Sequence, residues 1–219
     1  MCGRWATPFT KEHIEDHYRI SVSSFESSYN IAPGSSNLVI AQDPDKKAEQ
    51  MKWGLIPAWA SDPKIGYRMI NARAETILEK PSYKRPFLTQ RCLIPAGGFY
   101  EWRHADDKKI PYYIRLKNTP VFSFAGLYDR WKDPSGTVQK TFTIITTSPN
   151  TLMKPIHDRM PVIINKEYED EWLQSDDVLR LSSLLRPYRD EANMEAYPVG
   201  TTVNSPSNNT RENIKPIPS

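Results

Sequence analysis

Cysteine is scarce in this chain: there are two in 219 residues, Cys2 and Cys92. Two thiols cannot build a disulfide framework, and neither has neighbours at metal-ligand spacing, so a reducing compartment is expected. Long apolar runs are missing too. Nothing approaches the roughly 20 residues that cross a bilayer, and the N-terminus lacks the hydrophobic core of a signal peptide. These absences predict a cytoplasmic protein that does not engage a membrane. Histidines number four. His13 and His17 stand one helical turn apart, but no HExxH pattern or third ligand accompanies them. That predicts a solvated helix face and no metal. Glycine is sparse, nine against nineteen prolines, which implies short elements and rigid turns rather than long helices. Charge of one sign is scarce as well. A net charge of +3 with a pI near 8.7 admits an anionic partner without the strongly basic signature of a dedicated nucleic-acid binder.

What remains is enough for one folded domain: 38% hydrophobic residues, with six tryptophans, eleven tyrosines and seven phenylalanines. Residues 10–20 read as a short helix with Thr10 as N-cap. A turn at 30–34 leads to a strand at 37–41, and 43–49 reads as a charged loop. Residues 68–80 form the clearest helical pattern, with Asn71 near its anion-favouring N-terminal end. From residue 91 the chain turns to β, with strands expected at 91–95, 97–103, 110–116, 121–128, 138–147 and 160–164. Turn clusters at 104–109 and 133–136 divide them. Two short helices (166–173 and 176–185) and a strand at 197–203 follow, and a Pro/Asn-rich segment begins at about residue 204. The expected architecture is a single α+β domain over residues 1–219, dominated by antiparallel strands.

The chemistry starts at Met1-Cys2-Gly3-Arg4. A small second residue allows Met1 to be removed, leaving Cys2 with a free α-amine and a thiol on adjacent carbons. Such an aminothiol condenses with an aldehyde to an imine, and the thiol closes a thiazolidine with the advantage of a tethered reaction. Glu101 lies among glycines and aromatics in the run 97–102, so its carboxyl should be desolvated and suited to proton transfer. His157 in Ile156-His157-Asp158-Arg159-Met160-Pro161 is a proton-shuttle candidate. Asn71 and Arg73 offer neutral and charged donors. Cys92 reads as a buried core thiol. The aromatic-rich stretch 51–59 reads as a core corner or as a stacking wall for a base.

The segments MCGRW, NIAPG, WGLIPAW, INARAET, PAGGFYEW, TTSPN, IHDRMPVI and PVGTTVNSP, in this order, resemble the SRAP family, the SOS response-associated peptidases. The resemblance runs from Met1 to about Val203. It implies a compact β-rich, barrel-like fold with a positively charged cleft for single-stranded DNA. It also implies covalent capture of the ring-opened aldehyde of an abasic site by the N-terminal cysteine, which shields the lesion. On this resemblance the chemical residues are Cys2, Asn71, Glu101 and His157, and the DNA contacts are Arg4, Pro33, Trp53, Arg73, Trp102, Thr146 and Arg159. Single-stranded DNA carrying abasic sites is the implied partner, bound by a monomer without cofactor or metal, on the nucleoid when engaged. Contacts from 80–90 and 104–109 are less constrained. Autocatalytic removal of Met1 and slow reversal of the cross-link are further expectations. The alternatives are a thiol peptidase using Cys2, His157 and Asn71, and a non-catalytic single-strand binding module.

Overall fold

The computed structural model describes residues 2–42, 44–106 and 108–217. Met1 and its expected removal, the Asp43 end of the expected loop, Asp107 in the 104–109 turn and the last two residues lie outside them. In chain order the strands and helices are β1 (Trp5–Thr7), α1 (Lys11–Tyr18), β2 (Ser28–Ile31), β3 (Ser36–Gln42), β4 (Lys46–Trp53) and β5 (Asn71–Arg73). Then come α2 (Pro81–Thr89), β6 (Arg91–Ala96), β7 (Gly98–Ala105), β8 (Lys108–Leu116), β9 (Phe122–Lys132) and β10 (Val138–Thr147). β11 (Met160–Pro161), β12 (Ile163–Ile164), α3 (Glu169–Gln174), α4 (Val178–Leu184) and β13 (Met194–Pro198) complete the chain.

Five strands close on themselves in the order β10-β4-β3-β6-β9, with β9 pairing back to β10. A second sheet runs β13-β8-β7-β1-β2. The expected α+β, barrel-like fold is therefore observed. The central strands read as apolar runs because both their faces are buried. Val39 and Ala41 of β3, with Cys92 and Ile94 of β6, join Trp5, Phe99 and Ile114 of the second sheet in one core. Their alternates Leu38, Ile40 and Leu93 pack with Ile14, Phe87, Trp172 and Leu181 from the helices in another. Cys92 is fully buried, as expected.

Three local expectations fail, each for a tertiary reason. Most of 43–49 is strand, because the polar residues of β4 pair residue for residue with β3. The helix expected over 68–80 is absent: β5 lies there between 3-10 turns. β4 runs parallel to β10 only at Thr141 and Phe142, and the chain then leaves through residues 54–70. It returns so that Asn71, Ala72 and Arg73 take up the same edge opposite Ile144, Ile145 and Thr146. Pairing and burial of Ala72 outweigh a helix propensity worth only tenths of a kcal/mol per residue, about 0.7 at most. Asn71 thus sits on a strand, not at a helix N-terminus. The strand expected at 197–203 is displaced to β13, because it is residues 194–198 that pair with β8, Met194 opposite Leu116 to Pro198 opposite Tyr112. A 3-10 turn at Thr201–Asn204 follows. His17 departs too. Instead of facing solvent, its Nε2 lies 2.8 Å from the buried Glu169 carboxylate.

One glycine in the Glu101 motif is required by a close approach. A Cβ on Gly98 would stand 2.2 Å from Cζ of Tyr113, whose ring is buried on the partner strand β8. Gly98→Ala should destabilise the fold by about 1–3 kcal/mol through overpacking, read as a lower thermal midpoint; an unchanged midpoint would mean the ring yields freely.

Candidate active site

Two chain segments meet β7 to build the site. β1 pairs antiparallel with β7, Trp5 opposite Phe99 and Ala6 opposite Gly98, and Tyr100 N–H donates to Arg4 O at 2.9 Å. Continued toward the N-terminus, that register carries Cys2 along the Glu101–Trp102 end of the strand. From the other side β5 delivers Asn71, whose Nδ2 donates to Cys2 O at 2.9 Å. The approach of β5 is fixed by Trp53, whose indole N–H donates to Ile70 O at 2.9 Å, and by Tyr83, whose hydroxyl donates to Asn71 O at 3.1 Å. His157 arrives on the turn after β10, with Nε2 3.7 Å from Glu101 Oε2. The four residues expected to carry chemistry are brought together.

Their electrostatics follow from burial. Glu101 is 3% exposed. Loss of hydration, reinforced by the nearby Asp158 carboxylate, pushes its carboxyl up to about 7. The Cys2 thiol, fully buried, is pushed well above the ordinary thiol range by desolvation first and by Glu101 second. It is a neutral thiol in this arrangement. His157 Nδ1 accepts the Arg159 backbone N–H at 3.0 Å, so the neutral ring carries its proton on Nε2, facing Glu101. Asp158 lies 2.9 Å from Nδ1 and favours the imidazolium, but that carboxylate is 86% exposed and its pull is screened. Burial dominates and lowers the His157 pKa. Asn71 Oδ1 is buried and has no hydrogen-bond partner among the described residues.

The expected DNA contacts divide. Arg73 and Pro33 are exposed, and Trp102 is half-buried. Asn71 and Arg73 are alternate residues of β5 and share a face. Arg4 lies with its guanidinium 6.0 Å from the Trp102 ring, and its Nη1 donates to Asn30 Oδ1 at 2.7 Å and to Val203 O at 2.8 Å. Trp53 is 1% exposed and packs on Phe142 in the core, so it cannot stack on a base. Thr146 is fully buried; its carbonyl accepts Arg159 Nη2 at 2.6 Å. The Arg159 side chain is 12% exposed and forms a two-pronged pair with Glu75 at 2.7 and 2.9 Å. Trp53, Thr146 and Arg159 are thus parts of the frame that holds the site.

Two features escape a reading of the sequence. The same motif that buries Trp53 presents Trp59, 64% exposed, and Tyr67 beyond it is 72% exposed. Gly54, at φ +122°, turns the chain between the two tryptophans where a side chain would clash with Gly66 O at 2.6 Å. The other is an open cleft of about 400 Å³ lined by Glu101, Trp102, His104, Lys109, His157 and Asn204. Its lining joins Glu101 and His157 to a basic hairpin edge and to the C-terminal segment. Among the described residues no cluster of His, Cys, Asp and Glu could hold a metal ion, and no helix is long and apolar enough to cross a membrane.

Comparison with known proteins agrees with this architecture. The sequence is 49% identical over 223 residues to the abasic site processing protein YoqW of Bacillus subtilis, covering 98% of this chain and 99% of that protein. It is 33% identical to the abasic site processing protein HMCES of Xenopus tropicalis, over 86% of this chain and 65% of that protein. A crystal structure of a Bacteroides thetaiotaomicron protein superposes with a TM-score of 0.91 at 32% identity, covering 99% of this chain and all of that one. The profile of the SOS response associated peptidase (SRAP) family matches residues 1–206, and with relatives this similar across its whole length the chain belongs to that family.

Proposed function

We propose that the protein processes abasic sites in single-stranded DNA by forming a covalent thiazolidine through Cys2. The observation that carries this reading is the convergence of Cys2 with the Asn71 amide, the buried Glu101 carboxyl and the His157 imidazole. Hydrolysis of the Met1–Cys2 peptide bond frees the α-amine. Glu101, poised near neutrality, moves protons as the abasic sugar opens to its aldehyde. The amine adds to the aldehyde carbon, and water leaves as the C=N bond forms. The Cys2 S–H then adds across that bond: sulfur joins the carbon, the proton passes to nitrogen through Glu101, and the five-membered ring closes. Asn71 holds the Cys2 carbonyl and thereby the orientation of the aminothiol, and its buried Oδ1 is an acceptor for the carbinolamine hydroxyl. The neutral His157 donates from Nε2 to the sugar oxygen. The same groups serve the reverse path, which gives slow release.

A thiol peptidase that acts through a resting thiolate is disfavoured, since such enzymes depress the thiol pKa whereas burial here raises it. The direct test is incubation with an abasic single-stranded oligonucleotide, followed by denaturing electrophoresis and mass measurement. An adduct that survives heating, with the mass of the protein less Met1 plus the oligonucleotide less one water, supports the reading; no adduct overturns it.

Binding rests on backbone contacts from Arg4 and Arg73, with Pro33 and Trp102 along the path and Trp59 as the stacking platform. Exposure separates the two tryptophans experimentally. Trp59→Ala should weaken binding to single-stranded DNA by about 1–3 kcal/mol with an unchanged melting temperature. Trp53→Ala should destabilise the fold by about 3–5 kcal/mol. The reverse pattern, measured by anisotropy and thermal melting, would reassign the platform.

A further inference from the structure

The C-terminal segment contributes a side chain to the cleft that holds Glu101 and His157. Val203 is fully buried against Ala6, Tyr100 and Tyr113. Its carbonyl accepts Arg4 Nη1 at 2.8 Å and Asn30 Nδ2 at 3.2 Å. Asn30 Nδ2 also reaches Ser205 O at 2.9 Å and Asn208 O at 2.7 Å. Asn204 is therefore pinned on both sides by its neighbours' backbone. Its side chain is oriented as well. Trp102 Nε1 can only donate, and it does so to Asn204 Oδ1 at 2.8 Å, which fixes the amide so that Nδ2 is the free end. Asn204 is exposed, lines the cleft, and its Nδ2 makes no hydrogen bond among the described residues. His104 and Lys109, paired on the β7–β8 hairpin, line the same cleft.

We propose that Asn204 is a DNA-binding residue whose Nδ2 donates to a phosphate oxygen flanking the lesion, in the cleft that Lys109 also lines. The cleft then has a division of labour: the buried Glu101 and the half-buried His157 serve the sugar, and the exposed donors Asn204 and Lys109 hold the adjoining backbone. An amide donor on a pre-fixed frame loses little entropy when the phosphate docks. This assignment rests on the reading that the cleft receives abasic single-stranded DNA.

Two substitutions separate a DNA contact from a merely structural role. Asn204→Asp keeps an oxygen acceptor for Trp102 but replaces the donor with a negative charge. Asn204→Ala loses both. Cross-linking rates over a range of abasic oligonucleotide concentrations, and anisotropy with undamaged single-stranded DNA, give half-saturation and maximal rate. The expected result is a half-saturating concentration roughly tenfold higher for Asn204→Ala, the loss of one hydrogen bond to a charged group, with a near wild-type maximal rate. Asn204→Asp should be weaker still at low salt, with the gap to Asn204→Ala closing as salt screens the repulsion. If Asn204→Asp binds like wild type while Asn204→Ala is impaired, Asn204 serves only to hold Trp102 and the proposal fails; it fails equally if both variants match wild type. Should wild type bind DNA but form no adduct, the covalent reading is lost, and the anisotropy series still decides whether Asn204 touches phosphate.

Discussion

Cys2→Ala should abolish the heat-stable adduct with abasic single-stranded DNA altogether while leaving binding to undamaged DNA close to wild type. The variant keeps the α-amine once Met1 is removed, so an imine can still form. Imines hydrolyse under denaturing conditions unless reduced, and only sulfur closes the ring that survives. Tethering makes the closure efficient: well-oriented intramolecular groups reach effective molarities of about 10⁵–10⁸ M, which no free thiol in the tube can match. Binding should persist because the sulfur is fully buried and its one hydrogen-bond contact among the described residues is a 4.0 Å approach to Arg4 O. The phosphates are left to exposed groups such as Arg73. Borohydride should trap the imine of Cys2→Ala as a reduced adduct, which separates loss of the thiol from loss of the whole site. An extension before Cys2 that cannot be cleaved should remove both the native and the borohydride-trapped species, since it acylates the amine. A full yield of unreduced, heat-stable adduct from Cys2→Ala would move the chemistry to another nucleophile.

The parts of the fold that could be read from sequence are those whose local pattern and tertiary setting agree. β6, β9 and β10 are apolar on both sides because they lie between two cores, and continuous β-branched and aromatic runs announce that. Glu101 was readable for the same reason: glycine and aromatic neighbours predict a desolvated carboxyl, and it is 3% exposed. Residues 68–80 were not readable, because what makes Asn71 part of a strand is a free edge on β10, which lies far ahead in the chain. α2 was missed since two prolines mark its nine residues; Pro81 occupies the first turn, where no donor is needed, and buried Phe87 anchors the remainder. Trp53 and Trp59 share one motif and one amino-acid type, and the turn at Gly54 sends one into the core and leaves the other in solvent. Asn204 falls inside the PVGTTVNSP segment, but nothing local marks its role: its position is set by Asn30 and Trp102, each about a hundred residues or more away in sequence.

Glu101→Gln should slow adduct formation by roughly 10²–10⁴-fold, the usual contribution of a positioned acid/base group, and at the same time make the protein more stable. Both effects come from one cause. Burial lifts the carboxyl from its usual 4.5 to about 7, so between those values the folded chain holds a proton that the unfolded chain has released. Stability therefore falls as pH rises through that window. Above pH 7 the ionised, desolvated group costs on the order of 3 kcal/mol at about 1.4 kcal/mol per pKa unit. Glutamine has nearly the same shape and no charge to desolvate. The melting temperatures of wild type and Glu101→Gln should be close near pH 4.5 and diverge toward pH 8, the variant standing higher. The wild-type cross-linking rate should drop as pH falls below 7 and the base form is lost, whereas the residual rate of the variant should lack that limb. Normal rates in Glu101→Gln would remove Glu101 from the mechanism. A variant no more stable than wild type at pH 8 would mean that the carboxylate is compensated in its site, and that its proton affinity is set by something other than burial.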